Sequence, residues 1–401
     1  MTNENEQAPL YLRRREERRL LAGHMWVYSN EIDTIRSPLD QIEPGQTVDI
    51  LSHNGRWLGQ GYANPHSLIC ARLISRDRNH LFDRSLIIHR LQVALSLRQR
   101  LFAEPYYRLV YGESDGLPGI VIDRYDDVCV MQITTAGMER RRDDLLYAIN
   151  KVIHPRSILL RCDQTVRELE GLALYSECIG DIPEFSRVIE FDRSFDVSLA
   201  AGQKTGWFYD QRDNRAHLLP LVNERSVLDL YSYVGAWGVH CAASGANQVT
   251  CVDSSQPAID LIKHNADLNG VAEKVQTRKA DVLEFLKSLR AQKQHFDVVI
   301  LDPPALIKRK KDLKAGVEAY HRLNQAALQV IGKDGVLVSC SCSYHLSAVQ
   351  LLDIVRQAGL HIDRSLQLLY QGTQAMDHPV HPAMPETQYL KCFIFRVLPR
   401  R

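Results

Sequence analysis

The chain has 401 residues, 45% hydrophobic and 24% charged, which is the balance of a globular protein long enough for two or three domains with cores of their own. A formal net charge of +1 excludes a global electrostatic drive toward nucleic acid, so any RNA footprint must be local. No apolar run approaches a spanning helix, Met1 to Pro9 is polar, and the nine cysteines lack Cys-x-x-Cys or paired spacing. The expectation is therefore a cytoplasmic, reduced protein that neither spans nor binds a membrane and holds no metal.

Arg13, Arg14 and Arg15, followed by Arg18 and Arg19, precede the aromatic segment Trp26-Val27-Tyr28. They form either a basic patch for RNA or a solvated helix face with internal salt bridges. Short strand signals follow at Gln46-Thr47-Val48-Asp49-Ile50-Leu51, Trp57 to Ala63 and Ile69 to Ile74, with Asn54-Gly55 as a hairpin turn. This predicts a small β-barrel-like domain over residues 1–80. A helix from Leu81 to Phe102 leads to strand signals at Gly119 to Asp123, Val128 to Ile133, Ser157 to Leu160 and Gly171 to Tyr175, with a helix at Arg140 to Val152. Residues 81–187 thus form a central α+β domain.

From about Val188 to the end the chain alternates strand and helix, predicting an α/β, Rossmann-like domain with a mainly parallel sheet over residues 188–401. Val227-Leu228-Asp229-Leu230-Tyr231 ends in a loop with Gly235 and Gly238, where glycine lets backbone approach a ligand and a helix N-terminus offers amides to its carboxylate. The loop is not G-x-G-x-x-G, so a dinucleotide is disfavoured. Asp253 closes the second strand, where a carboxylate can bind ribose hydroxyls. Asp281 follows the third strand and suits an adenine contact, and Asp302 ends the fourth. Polar residues at four successive strand ends point to S-adenosylmethionine, although any one such aspartate is an ordinary helix N-cap.

Asp302-Pro303-Pro304 and the later Ser339-Cys340-Ser341-Cys342-Ser343 suggest the chemistry. Carbon-5 of cytosine is a poor nucleophile until a thiolate adds at carbon-6, and cysteine supplies that thiolate. Cys342 is the candidate nucleophile and Cys340 its buried neighbour. Asp302 would hold the base edge and, if protonated, donate to the ring nitrogen. Ala305 stands where enzymes acting on exocyclic amines place an aromatic, which disfavours amino methylation. Lys308, Arg309 and Lys310 follow directly and suit phosphates of a bound strand. Tyr209 and Tyr344 are candidates to stack an extruded base. His378 is a proton shuttle or a structural loop histidine.

The chain resembles the RlmI-type 23S ribosomal RNA 5-methylcytosine methyltransferases nearly end to end. The similarity runs through Gly112-Glu113-Ser114-Asp115-Gly116-Leu117-Pro118-Gly119, Gly202-Gln203-Lys204-Thr205-Gly206-Trp207-Phe208-Tyr209-Asp210-Gln211-Arg212, Asp302-Pro303-Pro304, Ser341-Cys342-Ser343 and Asp377-His378-Pro379. It implies an N-terminal PUA domain, a central α+β domain and a catalytic class I methyltransferase domain. It also implies that Lys204, Thr205 and Gly206 lie beside the methyl donor. Gln211, Asp229, Tyr231, Gly235, Asp253, Asp281, Asp302 and Pro303 complete the expected cofactor set, and the expected partner is 23S ribosomal RNA or a large-subunit precursor, with a homodimer possible. Ala305 departs from other RNA cytosine methyltransferases, which carry a product-releasing cysteine there, and no residue is assigned to remove the carbon-5 proton. The rival readings are a guanine N7 ribosomal RNA methyltransferase, which needs no thiolate, and a non-catalytic RNA-binding assembly factor.

Overall fold

A computed structural model of the chain describes residues 7–200, 202 and 205–400. It divides into two compact units, residues 1–186, 198–207 and 376–387 in the first and residues 187–197, 208–375 and 388–401 in the second.

Two five-stranded sheets make up the first unit. In one, Gln46–Leu51 and Trp57–Ala63 pair antiparallel, joined by a turn in which Gly55 has φ 77°. That left-handed conformation suits glycine, as the Asn-Gly signal predicts. Leu10, Val27, Val48, Ile50 and Leu73 are buried together as the core of this sheet. The second sheet orders its strands Tyr175–Ile179, Ser157–Cys162, Val128–Ile133, Ile120–Tyr125 and Tyr106–Tyr111. A helix over Arg84–Leu101, N-capped by Asp83 through the Leu86 amide, buries Ile87, Leu91 and Ala94 against it. The strand expected over Gly171 to Tyr175 begins only at Tyr175. Buried Arg167 donates to the Ala173 carbonyl and to Glu139, and Gly171 at φ 73° ends a short 3-10 turn there, so the local side-chain bonds outcompete the ladder.

The second unit is built on a seven-stranded sheet. Its strands are β1 (Ser226–Leu230), β2 (Gln248–Asp253), β3 (Val275–Lys279), β4 (Phe296–Leu301), β5 (Ile331–Ser341), β6 (Arg364–Gly372) and β7 (Lys391–Pro399). They lie in the order β3-β2-β1-β4-β5-β7-β6. The first five run parallel, and β7 pairs antiparallel with both β5 and β6. The helices that connect these strands are α1 (Ala236–Ala243), α2 (Gln256–Leu268), α3 (Val282–Ala291), α4 (Leu313–Gln329) and α5 (Ala348–Leu360). Central strands read as unbroken apolar runs because helices cover both faces: Val298, Val299, Ile300 and Leu301 are all buried. Three of these helices start on a side-chain cap, Ser255 for α2, Asp281 for α3 and Ser347 with Gln350 for α5. The sheet order reverses at β1 and β4, and their carboxyl ends are where open α/β sheets hold ligands.

Candidate functional site

The loop after β1 is held in an unusual backbone. Tyr231, Tyr233 and Gly235 have φ of 63°, 51° and 82°, and left-handed non-glycine residues persist only where the surroundings over-determine them. The surroundings here are specific. The Tyr233 amide donates to Asp253 Oδ2 at 3.0 Å, the Val252 amide to Ser232 Oγ at 2.9 Å, and Asn265 Nδ2 to the Val234 carbonyl at 3.0 Å. Together they turn the chain into α1, whose Gly238 amide donates to Asp229 Oδ2 at 3.0 Å. A Cβ at Gly238 would meet the Cys251 sulfur at 2.4 Å, so only glycine lets this turn sit on β1 and β2.

Asp229 is fully buried, and its Oδ1 has no hydrogen-bond partner among the described residues. Burial, with added repulsion from Asp302 and Asp253, pushes its carboxyl up to about 7. Asp302 is also raised, to about 6, by burial and the nearby Asp210. Trp237 Nε1 donates to Asp302 Oδ2 at 3.1 Å and Gln211 Nε2 to Oδ1 at 3.0 Å. Asn214 in turn donates to Gln211 Oε1 at 2.7 Å. Three carboxylates whose charges disfavour one another form a cradle suited to a ligand that carries positive charge. At the neighbouring strand end, burial and the Asp281 carboxylate push the Tyr231 phenol up to about 12. Asp281 itself is exposed and caps α3 through the Glu284 amide at 3.1 Å.

Beneath this cradle lies a buried ion network. Glu190 accepts from Arg215 at 2.6 and 2.7 Å, and His240 lies 3.2 Å away. Burial alone would raise Glu190, but the Arg215 guanidinium and His240 hold it well below the usual carboxylate range. Arg215 also donates to the Phe208 carbonyl at 3.0 Å, which fixes the segment leading to Gln211.

Cys342 follows β5 directly beside the Asp-Pro-Pro turn, its Sγ 4.0 Å from the Pro303 carbonyl oxygen. The serines on either side point inward and are fully buried. Tyr320 of α4 binds both, Ser343 at 3.0 Å and Ser341 at 2.9 Å, and Ser343 Oγ accepts the Ile307 amide at 3.1 Å. Alternation along an extended chain then turns Cys342, which is half-buried, to the other side. Cys340 is 1% exposed and pairs across the sheet with Cys392; burial and that neighbour hold its thiol well above the ordinary range.

Lys308, Arg309 and Lys310 are exposed, with Arg309 3.1 Å from Asp312. In the first unit, Arg13, Arg14 and Arg15 are exposed in a turn, and the helix there is confined to Arg18–Leu21. Thr205 and Gly206 belong to the first unit, where the Thr205 carbonyl accepts from Tyr125 at 2.9 Å; Lys204 lies outside the described residues. His378 is buried in the first unit, 2.8 Å from Asp377 and packed on Tyr111. Tyr209 is buried and Tyr344 is exposed. Trp237, Tyr320 and Lys391 carry no motif signal, and their parts in this cluster emerge only from the packing.

A PUA-like domain model matches residues 10–76, and a model described as conserved hypothetical protein 95 matches residues 214–342. The ribosomal RNA large subunit methyltransferase I of Tolumonas auensis is 36% identical over 396 residues, covering 97% of this chain and 99% of the relative. That of Aliivibrio fischeri is 37% identical over 395 residues, with 97% and 99% covered. This chain belongs to the ribosomal RNA large subunit methyltransferase I family. A putative S-adenosylmethionine-dependent methyltransferase from Streptococcus mutans, 22% identical, superposes with a TM-score of 0.82 over 97% of this chain and 100% of its own. A putative methyltransferase complexed with S-adenosylhomocysteine superposes at 0.84, again 22% identical, over 97% and 100%. This chain therefore shares the fold of these methyltransferases and carries a PUA-like domain over residues 10–76.

Proposed function

We propose that this protein methylates carbon-5 of a cytosine in 23S ribosomal RNA, using S-adenosylmethionine and a transient bond from Cys342 to carbon-6 of the base. The observation that carries this reading is the half-buried Cys342, whose Sγ lies 4.0 Å from the carbonyl of Pro303, the residue after Asp302. A guanine N7 transfer has no use for a thiol so placed.

The methyl donor fits the acidic cradle. S-adenosylmethionine supplies an electrophilic methyl group and brings ammonium and sulfonium charge. The orphaned Oδ1 of Asp229 and the repulsion that raises Asp229 and Asp302 favour such a ligand. Asp229, Tyr231, Gly235, Asp253 and Asp281 would hold it along the strand ends, with Gln211 and Pro303 at its methyl side. Lys204, Thr205 and Gly206 are proposed for donor binding on the family motif alone.

Asp302 acts as an acceptor. With Gln211 and Trp237 donating to its two oxygens, the ionised form is favoured near neutral pH, and a remaining lone pair can take the exocyclic amino group of cytosine. That favours the acceptor role over donation to the ring nitrogen. The Cys342 thiolate adds to carbon-6, and the electrons of the carbon-5 to carbon-6 double bond shift into the ring. Carbon-5 then takes the methyl group, with the carbon–sulfur bond of the donor breaking toward sulfur. Loss of the carbon-5 proton to solvent and expulsion of the thiolate restore the aromatic ring. Exposed Lys308, Arg309 and Lys310, and separately Arg13, Arg14 and Arg15, would meet RNA phosphates.

The test uses 23S ribosomal RNA transcribed with 5-fluorocytidine, in which the carbon-5 fluorine cannot leave as a proton does. The unmutated protein should form a denaturation-resistant RNA adduct and Cys342→Ala none, with S-adenosylmethionine binding retained by calorimetry. Near-normal methyl transfer by Cys342→Ala on natural RNA would sink the covalent route, and 7-methylguanine as its product would replace it.

A further inference from the structure

The side chain of Lys391 is a buried ammonium that neither the motifs nor the fold assigns to anything. It sits at the start of β7, directly across the ladder from Ser341 of β5. Its Nζ donates to the Ser343 carbonyl at 2.6 Å, and the residue is 8% exposed. The strand pairing and this bond fix its charged end against the backbone of the three residues that carry Cys342 at their centre. A buried charge at such a place costs several kcal/mol unless a counter-charge offsets it. A single carbonyl is a dipole and no counter-ion.

We infer that Lys391 is a positioning residue whose ammonium holds Cys342 as the thiolate before any RNA binds. The inference rests on the reading of Cys342 as a nucleophile and names the group that readies it. The Sγ–H bond breaks with its electrons left on sulfur, the proton passes to solvent water, and the resulting thiolate pairs with the Lys391 ammonium. An adjacent lysine is one of the ordinary means of lowering a thiol pKa.

The neighbouring groups are consistent with this pairing. Burial pushes Lys391 down to about 8, and the sulfur of Cys342 opposes that fall. Tyr320, packed from α4, is raised by burial and in part by Cys342, so it stays neutral. Cys340 on β5 is held well above the usual thiol range by burial, by Cys392 of β7 and by Asp302 after β4; it too stays neutral. At neutral pH Lys391 keeps its proton, and in this proposal the ammonium held at the Ser343 carbonyl acts on the nearby Cys342 sulfur. Above about 8 the support is withdrawn as the ammonium titrates.

The test reads thiol acidity without RNA or methyl donor. Alkylation of Cys342 by iodoacetamide is followed by mass spectrometry from about pH 5 to pH 9. In the unmutated protein the rate should inflect at least one unit below the ordinary thiol value of about 8.5. Lys391→Met should raise the inflection by about one unit, slowing alkylation near pH 6.5 by about tenfold, and Lys391→Arg should restore it. An inflection at or above about 8.5 in the unmutated protein overturns the inference even if Lys391→Met fails to fold, and so does an unmoved inflection in folded Lys391→Met. Retained methyl transfer in Cys342→Ala strikes instead at the nucleophile itself, so the two failures are distinguishable.

Discussion

The hydroxyl of Tyr320 lies 3.0 Å from that of Ser343 and 2.9 Å from that of Ser341. One phenol on α4 thus clamps both residues flanking Cys342 and determines which way the sulfur faces. Tyr320→Phe keeps the ring and removes the clamp, leaving two buried serine hydroxyls short of a partner at a cost of about 1–3 kcal/mol. Denaturant unfolding should show that loss. Single-turnover methylation should slow by about 10- to 100-fold through misplacement of the nucleophile, while donor affinity is unchanged.

If Asp229 holds the methyl donor as proposed, donor binding should depend on pH. Its folded value of about 7 lies above an unfolded aspartate at about 3.9. Its contribution to stability is therefore present below about pH 4 and is lost as pH rises through about 7. In Asp229→Asn the ligand-free protein should melt at higher temperature than the unmutated protein, with an advantage that grows from about pH 4 to pH 7 and then levels off. S-adenosylmethionine affinity should fall by about tenfold or more as a charged acceptor is lost. Calorimetry of the unmutated protein near pH 7 should show proton release on donor binding.

The proposed reaction predicts that Trp237 sets its acid limit. Burial lifts Asp302 to about 6, and the indole N–H opposes that rise. If the carboxylate form accepts from the base, kcat/KM should fall below about pH 6, by about tenfold per unit. Trp237→Phe removes the opposing donor, so the acid limb should move to higher pH, with near-normal activity regained in alkaline buffer. A pH–rate profile that does not move would assign Trp237 to packing alone.

The cationic run after the Asp-Pro-Pro turn should act through phosphates. Replacing Lys308, Arg309 and Lys310 together by alanine should weaken RNA binding and reduce the slope of log affinity against log salt by about two, at roughly 0.7 per lost contact. The exposed Arg309–Asp312 pair contributes under about 1 kcal/mol to stability, so thermal unfolding should barely change. Filter binding across a salt series measures the effect.

Much of the second unit is legible in the chain itself. Val227-Leu228, Val249 to Val252 and Val298 to Leu301 are local apolar runs, and their spacing by helical stretches implies a parallel sheet with its polar residues at the strand ends. The Ser-Cys-Ser and Asp-Pro-Pro segments are likewise local signals, which is why Cys342 and Asp302 are candidates from the sequence alone. The choice between Cys340 and Cys342 could not be argued as firmly, because both sit among serines. In the folded chain Cys340 is buried and pairs with Cys392, whereas Cys342 is half-buried beside Pro303, which favours Cys342 in the proposed role. Asp281 shows the converse case, in which a residue singled out for a ligand also serves as an ordinary helix cap.

The amino-acid order by itself determined the strand and helix periodicity, the aspartates at successive strand ends and the cysteine between two serines after the fifth strand. Only the tertiary structure decided which groups surround that thiol and Asp302. Lys391 meets Ser343 across 48 residues, Tyr320 meets it across 23, and Trp237 meets Asp302 across 65. Such contacts leave no periodic trace in the chain, since they depend on which strands become neighbours and in what register. The same folding sets the dielectric around each group, so the buried cation beside Cys342 and the raised carboxyls of Asp229 and Asp302 belong to the folded state alone.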